Sequence, residues 1–132
     1  MKSNCLYCQK EFEFNPHHQK GKYCGNECRG KHKSEIHKAE WYAGKLKKRI
    51  DRPTIRNYLT EDRGYKCEGD DCGISDWHNK KLVLHVDHIN GDPSNDSPSN
   101  VRLLCPNCHS QTPFLGGANK GRGRKALGLP LY

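Results

Sequence analysis

Residues 84–111 read LHVDHINGDPSNDSPSNVRLLCPNCHSQ, and two short apolar runs in this stretch flank a polar loop. Leu82, Leu84 and Val86 alternate with Val83, His85 and Asp87, the two-residue period of a strand, and Val101–Leu104 is a second run of strand character. The two should pair as a hairpin. Their connection, residues 90–100, is long for a hairpin and carries Asn-Gly, Asp-Pro and Ser-Pro turn signals, as is common where a loop has functional work. A Cys-x-x-Cys turn follows at once, and a short helix should start near Pro106 or Asn107 and stop by Pro113. Asp87 and His88 thus stand at a strand end, Asn100 at a loop end and His109 directly behind the turn. Such groups could hold one metal ion and one general base.

The turn belongs to a larger pattern of eight cysteines. Cys67-x4-Cys72 lies upstream of Cys105-x2-Cys108, and Cys5-x2-Cys8 is followed by Cys24-x3-Cys28. Thiolates two to four residues apart can converge on one tetrahedral ion at about 2.3 Å, and two such turns close a site. Two structural zinc ions are expected, one on Cys5, Cys8, Cys24 and Cys28 and one on Cys67, Cys72, Cys105 and Cys108. The alternative is that the first set binds no metal or recruits His17, His18 or His32 in place of a cysteine. Cys105-Pro-Asn-Cys108-His109 also matches the c-type haem attachment pattern C-x-x-C-H. That reading is disfavoured, because the N-terminus has no apolar export signal, Met1 is the only methionine, and Cys67 and Cys72 give the pair a better role.

Composition explains why such staples are needed. A chain of 132 residues with 33% hydrophobic residues and a mean hydropathy of −1.04 lacks the apolar mass for a large core. Without an export signal a disulfide framework is not expected, and no apolar run approaches a membrane span. The expectation is an intracellular protein with no membrane association. Lys and Arg total 23 against 15 acids, a formal +8; two four-thiolate zinc sites would lower this by roughly 4, to about +4. The remaining excess favours a nucleic-acid partner.

Along the chain, residues 1–33 read as a small four-cysteine zinc finger and 34–63 as a helical connector. Ser34 can cap a helix over 34–50 with Ile36, Trp41, Ala43 and Leu46 as apolar positions, and Lys45, Lys47, Lys48 and Arg49 in its last turn, where the helix dipole favours them. Pro53 suits the first turn of a second helix running to about Arg63, with Ile55, Tyr58 and Leu59 on one face and Gly64 ending it. Residues 64–115 form the main domain, and 116–132 a basic Gly-rich tail with Lys120, Arg122, Arg124 and Lys125. The cations of the connector and tail are candidate DNA contacts, or a solvated face.

Val86-Asp87-His88-Ile89, then Asn100, then Cys105-Pro-Asn-Cys108-His109 resembles the HNH, or ββα-metal, endonuclease family. In particular it is similar to small bacteriophage HNH proteins, where Asn90-Gly91-Asp92 and Ser110-Gln111-Thr112 are also familiar, over roughly residues 64–119. The N-terminal finger looks like a module found ahead of such domains. The fold implied is a small α+β, zinc-stabilised one: a ββα-metal domain with treble-clef-like zinc knuckles, preceded by a helical connector and a small zinc finger.

The resemblance also implies roles. His88 matches the general base, Asp87 and His109 the ligands of a catalytic divalent ion (Mg²⁺, Mn²⁺, Ni²⁺ or Zn²⁺), and Asn100 a residue that shapes the loop around the base. His85, two residues before Asp87, could be an auxiliary ligand or phosphate contact, with support of the group or solvent exposure favoured. The activity implied is metal-dependent cleavage or nicking of DNA, most simply double-stranded, in phage DNA processing, packaging or homing. Phage packaging proteins are then candidate partners and the host cytoplasm the location. A non-catalytic zinc-finger module binding DNA or protein is the alternative, and a monomer is favoured while the oligomeric state stays open. Neighbouring strand residues point to opposite faces, so a shared site for Asp87 and His88 requires the strand to end or bulge between them.

Overall fold

The structure is a computed structural model that describes residues 1–114. Two compact units are present, Met1–Leu46 and a second beginning at Lys47. The span expected as a connector, 34–63, falls on both sides of that boundary.

In the first unit, β1 (Lys2–Asn4) and β2 (Glu11–Glu13) pair antiparallel, with Ser3 opposite Phe12. The turn between them carries Cys5 and Cys8. The Leu6 amide donates to the Lys22 carbonyl at 2.9 Å, which ties this turn to the chain approaching Cys24. Gly21 permits that approach: its φ is +61°, and a Cβ there would stand 2.5 Å from the Phe14 ring.

The first helix, α1 (Asn26–Tyr42), starts eight residues before Ser34, which corrects the expected span of 34–50. The second cysteine turn itself initiates the helix. Gly25 is the extended N-cap and Cys28 lies in the first turn, so Ser34 sits mid-helix and is not its N-cap. The C-terminus is set by Gly44 at φ +68°, with the Lys45 amide bonded to the Glu40 carbonyl at 2.9 Å and the Gly44 amide to Trp41 at 3.1 Å. This left-handed glycine stop leaves Lys45, Lys47, Lys48 and Arg49 beyond the helix. The dipole argument for their placement therefore does not apply.

The second unit opens with α2 (Arg52–Arg63), close to its expected span. The Asp51 carboxylate accepts from the Thr54 amide at 2.7 Å, Pro53 occupies the first turn, and Ile55, Tyr58 and Leu59 form the buried face. Gly64 follows at φ +84°. Beyond Cys67 and Cys72 a small unanticipated hairpin pairs β3 (Asp76–Trp77) with β4 (Lys80–Lys81). Its two-residue turn, His78-Asn79, has positive φ at both positions (49° and 62°), the geometry that matches strand twist.

The next ribbon pairs β5 (His85–His88) with β6 (Val101–Leu104), and α3 (Pro106–Ser110) follows. The hairpin forms as expected, but its first strand starts at His85 instead of Leu82. Upstream of His85 the Tyr65 hydroxyl occupies the backbone, donating to the Leu82 carbonyl and accepting from the Leu84 amide. Both α2 and α3 contact the ribbon. Ile55, Leu59, Leu84, Val101, Leu103 and Leu104 are fully buried there, each contributing about 1.5–3 kcal/mol relative to exposure. Among the described residues no helix is long and apolar enough to cross a membrane.

Candidate metal centres and active site

Each group of four cysteines converges in space. In both sets one sulfur from every residue lies within 4.8 Å of the others, and no disulfide forms. Cys8 and Cys24 Sγ are 3.7 Å apart, Cys24 and Cys28 3.5 Å, and Cys72 and Cys105 3.9 Å. Four sulfurs bound at about 2.3 Å to one tetrahedral ion stand ~3.8 Å apart, so both sets fit such an ion. The histidine alternatives find other places: His32 Nδ1 is 3.1 Å from the Tyr23 hydroxyl, and His17 and His18 are exposed.

Electrostatics point the same way. Cys28 is pushed up to about 12, first by its hydrogen bond with Cys24 and then by burial, and Cys108 to about 12 by Cys72 and then burial. Four thiolates cannot share so small a space without a cation between them. Backbone amides add support in the second set, where Cys105 N–H donates to Cys67 Sγ at 3.1 Å and Gly69 N–H at 3.4 Å. A Cβ on Gly69 would lie 2.7 Å from Cys108 Sγ. The turn is closed too tightly for any side chain there.

A cleft of about 350 Å³ has walls that include Arg52, Arg56, His85, Asp87, His88 and His109. Cys105 caps α3, which fixes the helix one turn before His109. Asp87 is buried; its Oδ2 accepts from Arg102 Nε at 2.8 Å, across the register pair Asp87 and Arg102. Its Oδ1 faces His109 Nε2 at 3.9 Å. Two donors bound at about 2.1 Å to one ion stand ~3 Å apart at a right angle and ~4 Å when nearly opposed, so Asp87 Oδ1 and His109 Nε2 fit a shared ion.

His85, two residues before Asp87, meets the other nitrogen of His109: the two Nδ1 atoms are 2.9 Å apart. His85 Nδ1 is thereby engaged by His109. Burial, then the neighbouring His109 and Arg56, lowers its pKa, which keeps it neutral at neutral pH. A neutral His85 can accept a hydrogen bond from His109 Nδ1–H and leave His109 Nε2 free as a ligand atom.

His88 is the last residue of β5 and is buried. Its Nε2 lies 2.8 Å from Asp96 Oδ1, and Asp96 Oδ2 is 3.5 Å from Arg49 Nε. Asn100 closes the loop behind it: Oδ1 accepts from the Asn90 amide at 3.1 Å, while Nδ2 donates to Asn90 Oδ1 at 2.9 Å and to the Asn95 carbonyl at 2.8 Å. Asp92 bonds the Ser94 amide and hydroxyl, and Asn95 the Ser97 amide. This succession of side-chain turns makes the long loop a fixed carrier for Asp96.

The expected break between Asp87 and His88 is not found. Register runs unbroken from His85 opposite Leu104 to His88 opposite Val101. Both residues still line the cleft, because the strand ends at His88 and the chain turns back through Gly91, whose amide donates to the His88 carbonyl at 2.8 Å. Short two-stranded ribbons also twist strongly.

Asp96, Arg102, Arg52 and Arg56 did not stand out in the sequence. Asp96 could have been singled out as an acid within the functional loop; the arginines carry no motif. Of the candidate DNA contacts, Lys45 belongs to the first unit and Lys47, Lys48 and Arg49 to the second, all exposed. Arg49 is engaged by Asp96 and the Pro93 carbonyl. Lys120, Arg122, Arg124 and Lys125 lie outside the described residues.

Over 58 residues the chain is 43% identical to a curated protein, a match covering 44% of this chain and 25% of the relative. The relative is the H-N-H endonuclease F-TflIV of Escherichia phage T5. This chain thus spans about a quarter of the length of the phage protein it matches. The similarity supports the HNH resemblance read from the sequence. No family model matches the chain, and no solved structure does.

Proposed function

We propose that the chain is an HNH endonuclease of the ββα-metal kind, which hydrolyses phosphodiester bonds in double-stranded DNA with a divalent ion. The observation that carries this reading is the convergence of Asp87 Oδ1 and His109 Nε2, 3.9 Å apart, in one cleft with His88. The ribbon and α3 supply the two strands and helix of the fold, and the two cysteine sets hold structural zinc.

His88 acts as the base. A carboxylate only accepts hydrogen bonds, so the proton at the contact with Asp96 sits on His88 Nε2, and neutral His88 has its lone pair on Nδ1. That atom takes a proton from the attacking water. Asp87 and His109 hold the catalytic ion, Mg²⁺, Mn²⁺, Ni²⁺ or Zn²⁺, and Arg102 holds Asp87 in place through the oxygen that faces away from His109. The ion, when bound, polarises a non-bridging phosphate oxygen and stabilises the departing 3′-oxygen. Asn100 keeps the loop closed so that Asp96 meets His88. One such site per chain suits a monomer that nicks. A place in phage DNA processing, including packaging or homing, rests on the phage origin of the relative.

The test is relaxation of supercoiled plasmid by the purified protein with Mg²⁺ or Mn²⁺, with EDTA added in a parallel arm, compared with His88→Ala. Cleavage that needs the ion and falls at least 10²-fold in His88→Ala is expected. Equal cleavage by the variant would show that His88 is not the base; no metal-dependent cleavage by the wild type, with retained DNA binding, would favour a zinc-finger binding module.

A further inference from the structure

Five arginines lie between residues 47 and 114, and their partners divide them. Arg49 faces Asp96 at 3.5 Å, Arg63 faces Glu68 at 3.1 Å and Arg102 faces Asp87 at 2.8 Å. Arg52 and Arg56 form no ion pair with a carboxylate among the described residues. These two are the ones that line the cleft without belonging to its hydrogen-bonded groups. Arg56 is half-buried, and its Nε is shielded from solvent with no hydrogen-bond partner among the described residues.

A guanidinium stays charged at any physiological pH. Shielding part of it without an acceptor costs free energy, and an anion entering the cleft would offset that cost. The sequence places the two residues four apart in α2, so their side chains share one helix face, one turn apart. Among the described residues Asp87 is the only carboxylate lining the cleft, and Arg102 already pairs with it. The cleft therefore carries unpaired positive charge beside the atoms assigned to the chemistry.

We propose that Arg52 and Arg56 form a phosphate-binding subsite, which holds a DNA backbone phosphate flanking the one under attack. The inference rests on the endonuclease reading and goes beyond it by assigning the backbone contact to α2. The forks of Arg52 and Arg56 match phosphate oxygens bidentately, which sets the strand against His88 without reading its sequence.

The test measures binding of a labelled DNA duplex by fluorescence anisotropy across a salt series, using the protein as purified with no added divalent ion. Wild type is compared with Arg52→Ala, Arg56→Ala, the double variant and Arg56→Met. Each arginine removed should weaken binding about tenfold and make the slope of log K against log salt shallower by about 0.9. Arg56→Met should lose the same affinity while keeping or raising Tm, because a partnerless polar atom leaves a sheltered position. A double variant with wild-type affinity and slope overturns the subsite while leaving the nuclease reading intact. An Arg56→Met protein with lower Tm and unchanged slope makes Arg56 structural and overturns it equally. Failure of the wild type to bind or cut DNA would remove the nuclease reading and this subsite together.

Discussion

His88 Nε2 stands 2.8 Å from Asp96 Oδ1, with the two side chains only 8% and 11% exposed. Asp96 thereby fixes the tautomer of the imidazole and faces the positive charge that His88 gains on taking a proton. Asp96→Asn keeps the size of the side chain and an oxygen that can accept, but removes the charge. The expected result is a fall in kcat of about 10²–10⁴-fold with KM changed little, measured from nicking rates over a range of plasmid concentrations. Wild-type kcat in Asp96→Asn would show that His88 does not depend on this carboxylate.

Gly69 tests the second cysteine set without touching a sulfur. A Cβ at this position would sit 2.7 Å from Cys108 Sγ and 3.4 Å from Cys67 Sγ, a separation that no relaxed knuckle accommodates. Gly69→Ala should therefore lose one equivalent of tightly held zinc and retain the other. Cys8→Ser should do the converse, because it disturbs only the set in the first unit. Metal content of the purified proteins decides the matter: two equivalents surviving in Gly69→Ala would mean that the knuckle is looser than its geometry implies.

Proton release should accompany metal uptake. Cys28 and Cys108 are each raised to about 12, first by a hydrogen bond with a neighbouring thiol and then by burial, so at neutral pH both are protonated before an ion arrives. Binding must displace those protons, and the sign follows: affinity for zinc falls as pH falls and rises toward alkaline pH. Calorimetric titration of zinc into the metal-free protein, in buffers of different ionisation enthalpy, should show proton release at pH 7. Uptake without proton release would exclude binding by these thiols.

The cysteine sets were more legible in the sequence than the framework around them. Cysteine spacing is a local property, so both four-cysteine sets were legible, as were the Val101–Leu104 strand and the start of α2 near Pro53. The first helix was misplaced because its start depends on Cys24 and Cys28 converging with Cys5 and Cys8, a long-range event that outweighs the capping potential of Ser34. The alternation of Leu82 to Val86 promised a longer strand than forms, since Tyr65, seventeen residues before Leu82, takes the backbone groups that a ladder would use. Asp96, Arg52 and Arg56 were silent for a related reason. What distinguishes them is the partner each has or lacks, and no spacing rule reports that.

The Arg63 and Glu68 pair joins the helix, the knuckle and the ribbon, and its loss should show in stability. Glu68 Oε2 accepts from the Leu103 amide at 2.7 Å and Oε1 from Arg63 at 3.1 Å, while Arg63 also donates to the carbonyls of Val101 at 3.2 Å and Pro98 at 3.0 Å. Glu68→Ala strands the amide of a fully buried residue and loosens the guanidinium that ties α2 to the start of β6. A cost of about 2–3 kcal/mol is expected. Glu68→Gln, which preserves an acceptor for Leu103, should cost about 1 kcal/mol. Urea denaturation should show the midpoint falling with little change in slope. Hydrogen exchange should place the loss at the Leu103 amide, which would exchange at its wild-type rate if the pair were only a surface contact.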